Sequence, residues 1–111
     1  LHQAILSEAN LFAANLSIVN LSYADLTEAI LSEANLIGSD LLGANLKRAD
    51  LSASNLIGTN LRNANLRGAD LGGAKLTRTN LSEANLMSAN LSDADLSEAN
   101  LYEAEMNQAY L

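Results

Sequence analysis

The sequence predicts an all-β solenoid, a coil of short extended pieces joined by bends, and three observations carry that prediction. Leucine stands at every fifth residue from Leu1 to Leu101, and Met106 and Leu111 complete the series. From Leu6 onward a small residue lies two places before each of these, alanine in most repeats and otherwise Val19, Ser39, Ser54, Thr59 or Thr79. Between the two stands Asn or Asp, with Ile5, Ile30, Lys75, Glu105 and Tyr110 departing.

On an α-helix five residues advance about 140° past a full turn, so the leucines would scatter around the cylinder and make no apolar face. In one continuous strand an odd period would send alternate leucines to opposite sides. What remains is a three-residue extended piece followed by a bend, repeated so that every leucine returns to the same inner wall. Residues two apart on an extended piece share a side, so the small residue also points inward, where a narrow tube has little room. The intervening Asn or Asp faces out, and its short side chain can bond backbone groups at the bend. The two residues after leucine form the corner. Gly38, Gly43, Gly58, Gly68 and Gly73 fall in its second place, as a type II turn with φ > 0 wants, and only Gly72 falls in the first.

This A(N/D)LXX pattern over the whole chain resembles the pentapeptide repeat family. The resemblance implies a right-handed quadrilateral β-helix in which four pentapeptides complete one coil, hence about five and a half coils and a rod about 27 Å long. The residues alone leave the coil length open. NLIGSDL at 35–41 returns as NLIGTNL at 55–61, whereas LSEANL at 6–11 returns at 31–36. The family is abundant in cyanobacteria, many of its members have no assigned biochemical role, and some mimic B-DNA and bind DNA gyrase.

With 111 residues and no shift in composition, the chain reads as a single domain, residues 1–111. It lacks Cys, which excludes disulfides and thiolate metal sites. Its apolar runs are far too short to span a membrane, and no basic segment followed by an apolar stretch marks a signal peptide. The expectation is a cytoplasmic protein without membrane contact, with the compartment open if a targeting segment has been removed. Because the chain starts at Leu1, in mid-repeat and without methionine, it is expected to be a processed product or a fragment of something longer.

Catalysis is not expected. A Ser-His-Asp arrangement must use His2, the only histidine, in the first repeat where the chain frays. Paired carboxylates for hydrolysis need burial to raise one pKa, and the acids here face outward. No phosphate-binding glycine loop, metal-ligand spacing or cofactor fingerprint occurs, so neither cofactor nor small-molecule substrate is assigned.

Three surface groups are candidates for protein partners. Ile37 and Ile57 stack on adjacent coils in the family's folding, with Ile18 and Leu42 expected near the same edge. All six cations, Lys47, Arg48, Arg62, Arg67, Lys75 and Arg78, form a belt between acidic zones that include Glu8, Glu28, Glu33, Glu83, Asp93, Glu98 and Glu103. Folded as the family folds, Lys47, Arg48 and Arg67 share a corner that would suit an acidic partner. Nucleic acid is not expected, because the net charge is −7 and no aromatic interleaves with the belt. At the C-terminus Tyr102, Met106, Tyr110 and Leu111 are expected to cap the last coil or to meet a second copy, giving a monomer or an end-to-end homodimer. Ice binding through threonines is set aside, since Thr27, Thr59, Thr77 and Thr79 do not align.

Overall fold

Every β-bridge joins an outward residue to its counterpart four pentapeptides later. The computed structural model describes residues 1–111, and its bridges are all parallel, from Ile5 with Asp25 to Asn90 with Tyr110. This fixes four stacked sides, named here by their first outward residue: Ile5, Asn10, Asn15 and Asn20. The molecule measures 28 × 19 × 19 Å.

Where the sequence predicts three extended residues, each side holds one bridged residue, because the bends on either hand prevent the ladder from lengthening. Two bonds make the bridge: Asp25 N–H donates to Ala4 O at 2.9 Å and Leu6 N–H to Asp25 O at 2.7 Å. A third crosses the corner, from Glu8 N–H to Thr27 O at 2.8 Å. The corner itself is closed by the N–H after it donating to the leucine carbonyl before it, as in Ala24 to Leu21 at 3.0 Å, at every corner except the one ending in β-branched Val19.

One backbone donor in each pentapeptide has no place in this scheme, the N–H of the first corner residue. Wherever Asn or Asp precedes the leucine, its Oδ1 accepts that N–H, as in Asp25 to Thr27 at 3.0 Å, Asn80 to Ser82 at 3.1 Å and Asp95 to Ser97 at 3.0 Å. The outward place therefore takes Asn or Asp because only a short carbonyl-bearing side chain reaches two residues ahead.

Every second corner residue has positive φ, from the five glycines to Gln3 at 57° and Gln108 at 60°. The sequence marks this left-handed place only where glycine occupies it.

From Leu21 to Leu91 the inward leucines are 0–2% exposed. Leu6, Leu11, Leu16, Leu96, Leu101 and Met106 are half-buried in the end coils, and Leu1 and Leu111 are exposed. Polar residues in the alanine place are buried but satisfied. Ser39 and Ser54 donate to Leu36 O and Leu51 O, and Thr59 and Thr79 donate to Leu36 O and Leu56 O of the preceding coil at 2.7 Å. Val19, Ser39, Thr59 and Thr79 all line the inner wall of the Asn20 side. No helix of the protein is long and apolar enough to cross a membrane.

Candidate interaction surfaces

A full interior leaves the outer sides and corners to carry function. No cavity opens in the rod, and no group of three or more His, Asp or Glu side chains converges as metal ligands.

Ile37 and Ile57 share the first place of one corner, and Ile18 lies in its second place, its Cγ1 3.9 Å from where a Cβ of Gly38 would stand. Ile18 is 84% exposed and Ile37 38%. Leu42 is not on this edge. Five residues past Ile37, it belongs to the next corner, because one pentapeptide spans one side. There Leu42 is half-buried, and the Tyr23 ring covers Gly43 so closely that a Cβ would lie 2.6 Å from it. The two corners bracket the Asn20 side, so the four residues chosen from sequence flank one face instead of forming one edge. Down the middle of that face runs the column Asn20, Asp40, Asn60, where Asn60 Nδ2 donates to Asp40 Oδ1 at 2.9 Å. Tyr23 belongs with this group; its signal in the sequence was the glycine one coil later.

The basic belt divides. Arg48 pairs with Glu28, Arg62 with Glu83 at 2.8 Å and Arg78 with Glu98 at 3.2 Å. Lys47, Arg67 and Lys75 make no ion pair. As a site for an acidic partner the belt is thus half neutralised from within. Lys75 and Asp95 are bridged neighbours, yet Asp95 accepts from Ser97 Oγ and Thr77 Oγ1 instead. Lys47 and Arg67 do stack with Arg48 on one corner, whose Arg48 N–H donates to Arg67 O at 3.0 Å.

At the C-terminal end Tyr102 and Tyr110 project outward, 66% and 68% exposed, and Leu111 is 79% exposed. They leave Leu96 and Leu101 half-buried, so as a cap within one chain this set falls short. Only Met106 packs against the core.

The family model for pentapeptide repeats matches in eight copies spanning residues 1–111. The chain belongs to the pentapeptide repeat family. Members of this family form right-handed quadrilateral β-helices. The pentapeptide repeat protein alr5209 from Nostoc PCC 7120 is 34% identical over 89% of this chain and 85% of its own, with a TM-score of 0.76. HetL, a pentapeptide repeat protein involved in heterocyst differentiation regulation in the same cyanobacterium, is 34% identical over 98% of this chain, with a TM-score of 0.46; the chain spans 64% of its length. QnrB1, a plasmid-mediated fluoroquinolone resistance protein, is 22% identical over 83% of this chain and 60% of its own at a TM-score of 0.51, which shows the shared fold. No functionally curated protein matches.

In this pentapeptide repeat the three carboxyls of Asp25, Asp50 and Asp95 are held ionised by groups of the corner. Hydrogen bonds from the hydroxyl and amide of Thr27 lower the Asp25 pKa, and those of Ser97, with the Thr77 hydroxyl, lower that of Asp95. At Asp50 burial pushes upward but is outweighed by the Ser52 hydroxyl and amide and the Ser32 hydroxyl. A general acid needs the opposite shift. His2 Nδ1 does lie 2.8 Å from Ser22 Oγ. That hydroxyl, however, donates to Asn20 Oδ1 at 2.6 Å, and Oδ1 also accepts the Ser22 N–H, so His2 is the donor to Ser22. The histidine therefore does not take the serine proton, as a nucleophilic pair requires.

Proposed function

We infer that the chain is a non-catalytic scaffold of about five and a half coils that offers its outer faces to protein partners. The observation that carries this reading is the division of the molecule: leucines and satisfied hydroxyls fill the inside, while Ile18, Ile37, Ile57, Tyr23 and Leu42 stand on either edge of the flat Asn20 face. Apolar groups on both borders of one face are what a partner surface needs. The fold shared with alr5209, 34% identical over most of both chains, supports the scaffold architecture. The working oligomeric state is the monomer, with an end-to-end homodimer through the exposed C-terminal coil as the alternative.

The test compares proteins retained from source lysate by the wild type and by an Ile37→Asp/Ile57→Asp variant whose circular dichroism is unchanged. A partner kept by the first and lost by the second is the expected result; identical retention would remove the Asn20 face from consideration.

A second reading is DNA mimicry directed at gyrase, as in other family members. It is favoured by the net charge of −7 on a rod of 28 × 19 × 19 Å. The unpaired Lys47, Arg67 and Lys75 oppose it. Supercoiling by purified gyrase in the presence of micromolar protein decides, and an unaffected reaction ends this reading.

A further inference from the structure

Lys47 and Arg67 stand one above the other in the first place of the same corner, rooted about 4.8 Å apart on adjacent coils. The chain has 13 acidic residues, yet none answers this pair. Glu28 is engaged by Arg48. Asp50 accepts from the Ser52 hydroxyl at 2.6 Å, and Asp70 accepts from Gly72 N–H and Asn90 Nδ2, each at 2.9 Å. Beside Arg67 the second corner place is Gly68, so the backbone there is bare, and the Arg48 stem passes 3.5 Å from where its Cβ would be. Two like charges on adjacent coils repel, and carboxylates brought to them would relieve both.

We propose that Lys47 and Arg67 are a docking point for a short acidic peptide segment of a partner protein. In an extended peptide every second side chain faces the same way, about 6.6 Å apart, so two acids separated by one residue meet both cations. The patch is only two coils tall. Glu8 and Glu28 precede it on the same corner, and Asp50 and Asp70 form a column on the neighbouring side. A nucleic-acid strand that outran the patch would lay phosphates against these carboxylates, whereas a short peptide would not. The site shares no residue with the Asn20 face, so either can fail without the other.

The test is fluorescence anisotropy of a labelled Glu-Ala-Glu tripeptide titrated with the full chain at low ionic strength, beside an octathymidine oligonucleotide. The tripeptide is expected to bind saturably. The Lys47→Gln/Arg67→Gln variant is expected to weaken it about tenfold, as the loss of one half-buried and one exposed charge contact allows. Lys75→Gln removes one unpaired positive charge from another side and leaves binding within about twofold. Arg67→Lys keeps the charge and retains binding, which separates lost contacts from lost fold. Absence of saturable peptide binding, an equal loss in Lys75→Gln, or tighter binding of the oligonucleotide overturns the proposal.

Discussion

Replacing Gly58 with alanine sets two opposing effects against each other. Gly58 has φ +66°, and a Cβ there would meet nothing within 4 Å, so no clash contributes. In the folded state the left-handed conformation costs a non-glycine residue roughly 1–2 kcal/mol. In the unfolded state alanine has fewer conformations to lose, which offsets roughly 0.4–1 kcal/mol of that. The balance is a destabilisation of about 0.5–1 kcal/mol. Ala53, at φ +53° and exposed, is the reciprocal case, and Ala53→Gly should stabilise by a similar amount. Urea unfolding followed by far-ultraviolet circular dichroism reads both. With a slope near 2 kcal/mol/M the midpoints should move by roughly 0.25–0.5 M in opposite directions, at unchanged slope. If Gly58→Ala raised the midpoint, unfolded-chain entropy would dominate and positive φ would carry no cost in this corner. Gly43→Ala should then be the worse of the two glycine changes, because its Cβ meets the Tyr23 ring.

Other consequences are open to measurement. Asn80→Ala strands both the N–H and the hydroxyl of Ser82, which is 7% exposed, and should cost about 2 kcal/mol, whereas Asn80→Asp retains the acceptor and should cost clearly less; equal losses would mean that the oxygen is not what matters. Leu56→Ala in the fully buried middle should cost about 2–5 kcal/mol and Leu101→Ala in the half-buried last coil much less, and thermal unfolding showing the reverse order would contradict the burial pattern. The carboxyls of Asp25, Asp50 and Asp95 titrate below the ordinary 3.8 in the fold. Their contribution is therefore complete above that value and disappears as pH falls through their lower folded pKa values. A variant with all three changed to Asn keeps the acceptor oxygens and should lose stability less steeply than wild type below about pH 4; parallel curves would show that these groups do not govern acid sensitivity.

Much of the local architecture was legible because each place in the pentapeptide answers to a separate physical demand. Leucine filled the tube, alanine fitted beside it, Asn and Asp reached the bend, and Gly38 and Gly58 betrayed a left-handed corner. Coil length was not legible from residues such as the LSEAN units at 6, 31, 81 and 96, since near-identical units stack comfortably in several registers. The angle of each bend sets that length, and the angle is a property of backbone. Leu42 lies one corner beyond Ile37, not on its edge, as their spacing of five residues requires once one pentapeptide spans one side. A spacing of one coil does not reveal the Arg62–Glu83 pair, 21 residues apart, because a long guanidinium stem reaches from the first corner place to the second across a coil. Lys75 and Asp95 do stand one coil apart and still form no pair, because two nearby hydroxyls satisfy the carboxylate.

Because each bridge spans four pentapeptides, length and orientation are separate coordinates of this molecule. Inserting four repeats would add a storey and leave every face pointing as before. Inserting one would turn everything beyond it by a quarter revolution, carrying the Asn20 face of later coils round beneath a different face of earlier ones. A gain or loss of five residues is then a rotation of surface chemistry with the core untouched, and through it evolution can realign a binding face without inventing a single new contact inside.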